Sequence, residues 1–102
     1  MKKANQLTQL IWDFWREDTK ELQKLAPIAE CKVSRWWGVL HIRCLETETA
    51  LKIVAAESLI EQPAIALRLA NKIKIWVNKN LLAAFTIKDR KMSNFERVKH
   101  EN

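Results

Sequence analysis

The stretch from Glu30 to Leu45, ECKVSRWWGVLHIRCL, decides the fold, because it holds the only glycine, both cysteines and the clearest two-residue alternation in the chain. It reads as a β-hairpin. With Trp37 and Gly38 as a two-residue loop, residues whose numbers add to 75 face each other: Cys31 with Cys44, Val33 with Ile42 and Arg35 with Leu40 on one face. Lys32 with Arg43 and Ser34 with His41 then fall on the other. A slip of one residue would pair Val33 with His41 and break up the apolar face, so the pattern argues for its own register. Gly38 suits the positive φ that such turns need, whereas Trp37 is an unusual partner for it.

Before the hairpin, residues 5 to 25 set Leu7, Leu10, Ile11, Phe14, Trp15, Leu22 and Leu25 at spacings of three and four, which predicts an amphipathic helix. Pro27 stops it and pushes Ala26 out of helical geometry. After the hairpin, Ala50 to Ala56 alternates weakly at Leu51, Ile53 and Ala55, as a third strand would. Its alanines and the lack of a turn residue before Gln62 favour a helix, with Thr47 as N-cap and Leu51, Val54, Ala55, Ser58 and Leu59 as the buried stripe. Pro63 suits the first position of a further short helix that buries Ile65, Ala66, Leu69 and Ala70. From Lys72, KIKIWV alternates and reads as a strand; the competing long helix from Pro63 to Phe85 is weakened by Asn71, Asn78 and Asn80. Leu81 to Ile87 is a last apolar element whose type the pattern leaves open.

The order helix, strand, strand, helix, helix, strand is that of small KH-like modules. The expected architecture is therefore α/β (α+β), a KH-like single domain over residues 1–87 in the order α-β-β-α-α-β, with helices on one face of a three-stranded sheet. Residues 88–102 are expected to form a flexible, basic and polar tail. The runs GVLHIRC (38–44), ETETALKIVAAESLIEQPAIALRLA (46–70) and IKIWV (73–77) resemble the KH-like N-terminal domain of the bacterial replication initiator DnaA and the DciA-type helicase-loader domains. The resemblance implies a replication-type module that binds a protein partner and, weakly, nucleic acid. Leu45, Glu46 and Thr47 stand where the initiator domain tends to carry a Pro-Asn helix start.

With 102 residues, 48% hydrophobic and 29% charged, the chain is sized for one ordered domain with one modest core. No apolar run approaches the roughly 18 residues of a membrane span, and no signal core follows the first residues, so the cytoplasm is the default expectation. The net charge of +6 is unevenly placed: residues 1–62 carry nine cations and nine acids, residues 63–102 nine cations and three acids. Such asymmetry suggests an anionic partner.

The alternation turns that charge into a candidate site. Lys32 and Arg43 oppose each other in the hairpin, with Glu30 and Glu46 as the nearest acids to offset them, while Lys72 and Lys74 alternate with inward aliphatics and Trp76 projects beside them. Cations interleaved with an indole suit the phosphates and bases of single-stranded DNA or RNA. Lys79 and Arg35 are counted with these nucleic-acid-binding residues, and Lys88, Arg90 and Lys91 could extend the patch further. Trp76 or Trp36, which lies beside Arg35, is expected to stack a base. The bland alternative is a solvated face whose lysines guard the sheet against aggregation. A rival reading makes Trp12, Trp36 and Trp37 a protein-partner or oligomerisation surface.

Catalysis is not expected. The cysteines read as two buried thiols, although their register would allow a cross-strand disulfide. His41 points to the face opposite Cys44, which disfavours zinc binding and a Cys-His nucleophile. A single glycine leaves no phosphate loop, and the acids show no metal-ligand spacing, so neither cofactor, metal nor small-molecule substrate is expected.

Overall fold

Lys32–Trp36 (β1) and Val39–Cys44 (β2) pair antiparallel in a computed structural model that describes residues 5–87. The register is the expected one, Lys32 against Arg43, Val33 against Ile42 and Arg35 against Leu40. Trp37 at φ 54° and Gly38 at φ 73° both take the left-handed conformation that a two-residue hairpin loop requires. The backbone of Asn71 donates to the Gly38 carbonyl at 2.8 Å and ties the loop to the start of the next strand.

From β2 the chain runs through helices α3 (Thr47–Ala55) and α4 (Glu57–Ala66) into β3 (Lys72–Val77), which lies parallel to β2 with Leu40 beside Ile73 and Ile42 beside Ile75. A fourth strand, β4 (Asn80–Thr86), returns antiparallel to β3, so the sheet has four strands in the order β1-β2-β3-β4 rather than the expected three. Asn78 takes φ 57° in the intervening turn, so the asparagines that weaken a helix here serve a hairpin. The register shifts between Ile75 and Trp76, which pair with Ala83 and Leu81, and Leu82 is the extra residue of a bulge. The molecule is thus a small α+β domain with a mixed sheet.

All helices pack on one side of that sheet. The core joins Val33, Leu40, Ile42, Ile73 and Ile75 from the strands to Ile11, Leu25, Ile28, Ile53 and Ile60 from the helical layer. Each such side chain contributes about 1.5–3 kcal/mol on burial. The buried stripe of α3 is Ala50 and Ile53, one position away from the one expected, and Leu51 is exposed. The N-cap of that helix is Glu46, without a side-chain bond, and Thr47 is its first helical residue.

The leading segment is two helices rather than one. Helix α1 (Gln6–Phe14) is capped by Asn5, whose side chain accepts from the Thr8 backbone; α2 (Thr19–Lys24) restarts where the Asp18 carboxylate accepts from the Glu21 backbone. A 3-10 turn over Ala26–Glu30 then carries Pro27 near its start and leads into β1.

Pro63 sits inside α4, not at its start. It offers no N–H to the Leu59 carbonyl one turn back. The Trp15 indole N–H donates to that carbonyl instead, at 2.8 Å, and so joins α1 to α4 across 44 residues of sequence. Helix α4 closes with Arg68 at φ 54° and with bonds from Arg68 to Ile65 and from Leu69 to Ala64, the Schellman pattern that more often carries glycine. No helix among the described residues is long and apolar enough to cross a membrane. The expected tail at 88–102 lies outside the described residues.

Trp15→Phe orphans the Leu59 carbonyl and should cost about 1–3 kcal/mol in urea denaturation. In a Pro63→Ala background the restored backbone N–H serves the same carbonyl, and Trp15→Phe should cost less. Equal costs in both backgrounds would contradict the compensation.

Candidate functional site

The side of the sheet turned away from the helices carries three cross-strand rows. Lys32, Arg43 and Trp76 form one, Ser34, His41 and Lys74 the next, and Trp36, Val39 and Lys72 the third, with β4 adding Leu81, Ala84 and Thr86 at their ends. Four cations therefore share one face, and no carboxylate stands among these residues. The cause is parity: once Leu40, Ile42, Ile73 and Ile75 turn inward, every second residue between them turns outward.

Trp76 is held in place on this face by two neighbours. Its indole N–H donates to His41 Nδ1 at 3.2 Å, the two rings lie 6.1 Å apart, and the Arg43 guanidinium sits 5.1 Å from the indole centroid. The cation–π contact contributes about 0.5–1 kcal/mol and gives Arg43, which pairs with the like-charged Lys32, a favourable partner. Neither Glu30 nor Glu46 forms an ion pair with those cations; among the described residues the recorded surface pair is Lys24 with Glu21, at 3.3 Å. For Arg43, the Trp76 indole takes the place of the expected acids. Burial, followed by the fields of Arg43 and Lys74, keeps the His41 imidazole below its ordinary pKa.

The remaining candidate residues divide. Lys79 lies in the β3–β4 turn and, with Lys32, Arg43, Asn5, Asn78 and the acid Glu30, lines a groove of about 710 Å³. Arg35 stands apart from the cluster: its position faces the helix side with Leu40, and its guanidinium donates to the Leu69 carbonyl at 3.4 Å. Trp12 is half-buried against the core and donates its indole N–H to the Leu25 carbonyl at 3.1 Å, which ties α1 to the end of α2. Trp36 and Trp37 are 68% and 82% exposed at the hairpin tip, their rings edge to face at 6.2 Å. Trp36 ends the row that contains Lys72, so an indole platform borders the cations even though the Trp76 ring already carries Arg43.

Cys31 and Cys44 are free thiols, with their sulfurs 3.0 Å apart on the helix side of the register. Burial pushes both thiols above their ordinary pKa, and their mutual contact raises that of Cys31 further. Such protonated thiols are weak nucleophiles and weak metal ligands. Among the described residues no group of three or more His, Cys, Asp or Glu side chains is placed to hold a metal ion.

His41 belongs to the site although its sequence reading stopped at the absence of zinc and nucleophile partners. The signal that places it beside Trp76 is the parallel register of β2 and β3, which local alternation does not specify.

Uncompensated like charges predict a response to salt. The free protein should gain about a few tenths of a kcal/mol in stability between about 20 and 200 mM NaCl as repulsion across the face is screened, and Lys74→Gln should shrink that gain. A loss of stability over the same range would contradict the charge balance described.

Compared with protein-family models, curated proteins and solved structures, the chain matches none, and its function has to be read from the face itself.

Proposed function

We propose that the helix-free face of the sheet is a non-enzymatic binding surface for single-stranded nucleic acid, DNA or RNA. The observation that carries this reading is the gathering of Lys32, Arg43, Lys72 and Lys74 on a face without a carboxylate, next to exposed Trp36. Phosphates would lie along the cations, with Lys79 lengthening the path at one end. A base would stack on Trp36, or on the guanidinium that covers Trp76. An open, gently twisted sheet suits splayed single strands better than a duplex, whose stacked bases it could not reach. In this reading the segment Gln6–Val77 is a KH-like unit with β4 added at its edge.

A second reading rests on the hairpin tip. Two indoles exposed at 68% and 82%, one of them in a left-handed position that asparagine or glycine would fill with less strain, are poorly explained by folding alone. They fit the anchor of a protein interface or of self-association.

Fluorescence anisotropy with labelled oligothymidylate separates the two. The nucleic-acid reading expects binding at about 50 mM salt, with log K falling against log salt at a slope of about −3 for four phosphate contacts. Lys72→Glu with Lys74→Glu should weaken it about tenfold or more, without loss of helical signal. No binding, or equal affinity in that variant, would overturn the reading. A solution mass that grows with concentration and returns to the monomer in Trp37→Asn would favour the interface reading.

A further inference from the structure

His41 stands in the middle row of the face, and imidazole is the side chain there that titrates near neutrality. Because its Nδ1 accepts the Trp76 indole N–H, the neutral ring carries its proton on Nε2. The groups that meet it are Ser34 from β1, Arg43 on its own strand, and Lys74 and Trp76 from β3, with Lys32 and Lys72 in the adjoining rows. Every charged member of that set is a cation. In the free protein burial first, and then the fields of Arg43 and Lys74, disfavour the charged ring, and the neutral ring holds the indole.

Protonation changes both relations. A proton on Nδ1 faces the indole N–H donor to donor, so the 3.2 Å bond cannot persist and Trp76 keeps only its contact with Arg43, which a phosphate can draw off. A third cation beside Arg43 and Lys74 is disfavoured in the free protein and favoured when an anion lies against them. A phosphodiester is such an anion.

Resting on the nucleic-acid reading above, we propose that His41 is the proton-coupled element of the face: single-stranded nucleic acid binds together with one proton, taken from solvent onto His41, and that protonation unlatches Trp76 for base stacking. The sign follows from linkage. The bound state holds the proton to a higher pH than the free state, so between those two values affinity rises as pH falls, by at most about tenfold per pH unit for one proton. Below both values the dependence vanishes.

The experiment is the affinity of labelled oligothymidylate, whose bases and phosphodiesters do not titrate near neutrality, measured at fixed low salt from about pH 5.5 to 8. The wild-type protein should tighten by about three- to tenfold per unit somewhere in that range, and His41→Gln, whose amide can still accept the indole N–H, should be flat there. His100 is present in both proteins, so the difference belongs to His41. Equal pH dependence in the two proteins, with binding intact, overturns the proton coupling and leaves the nucleic-acid reading standing. Absence of binding at every pH overturns both. Should His41→Gln fail to fold, the wild-type His41 ring resonances decide: their pKa must rise when oligothymidylate is added, and an unchanged or lowered value overturns the coupling.

Discussion

The structure depends on one register. Pairing β1 with β2 so that Val33 meets Ile42, and laying β3 parallel to β2 so that Ile42 meets Ile75, sends Val33, Leu40, Ile42, Ile73 and Ile75 to the helices. Because side chains alternate, the same register sends Lys32, Arg43, Lys72, Lys74, His41 and Trp76 to the other side. Core and charged face are two consequences of a single choice, and a one-residue slip in any strand would bury cations and expose isoleucines. Folding the core therefore assembles the face, whatever the cations cost one another.

That cost is small beside the gain. Each buried isoleucine contributes about 1.5–3 kcal/mol, whereas a pair of exposed like charges in water costs about a few tenths. The face can thus keep unpaired cations, and the structure limits their repulsion locally by setting Arg43 on the Trp76 ring and leaving His41 neutral. A surface designed only for solubility has no need of this arrangement, since acids at Ser34 and Thr86 would offset part of the charge on the face.

The hairpin, its register and the strand character of Lys72–Val77 were legible in the sequence because period-two alternation at Val33, Leu40, Ile42, Ile73 and Ile75 leaves one consistent inward set. Less legible were features in which distant residues override local rules. Pro63 reads as a helix start until Trp15, far away in sequence, supplies the donor that lets it sit mid-helix. Residues 5–25 read as one helix because the apolar spacing continues past Trp15, while Asp18 restarts the chain as a second one. Alternation in β4 is blurred by a bulge at Leu82, and Asn78 and Asn80 are as consistent with a broken helix as with a turn. For the site, parity sends Lys32, Arg43, Lys72, Lys74 and Trp76 outward, and the β2–β3 pairing, which local alternation does not specify, brings them together. Arg35, expected in the site, faces the helix side instead. The bonds that engage Trp12 and cover Trp76 depend on tertiary neighbours and lie beyond any local pattern.

The most direct measurement of whether the open face is the working surface is the set of five indole N–H resonances of nitrogen-labelled protein, followed while oligothymidylate is added at low salt. Trp36 and Trp76 lie on the face, while Trp12 and Trp15 are bonded to the Leu25 and Leu59 carbonyls in the helical layer. The account predicts that the Trp36 and Trp76 signals shift and those of Trp12 and Trp15 hold still. Movement of Trp12 and Trp15 with Trp36 and Trp76 unchanged, or no movement at all, would contradict it.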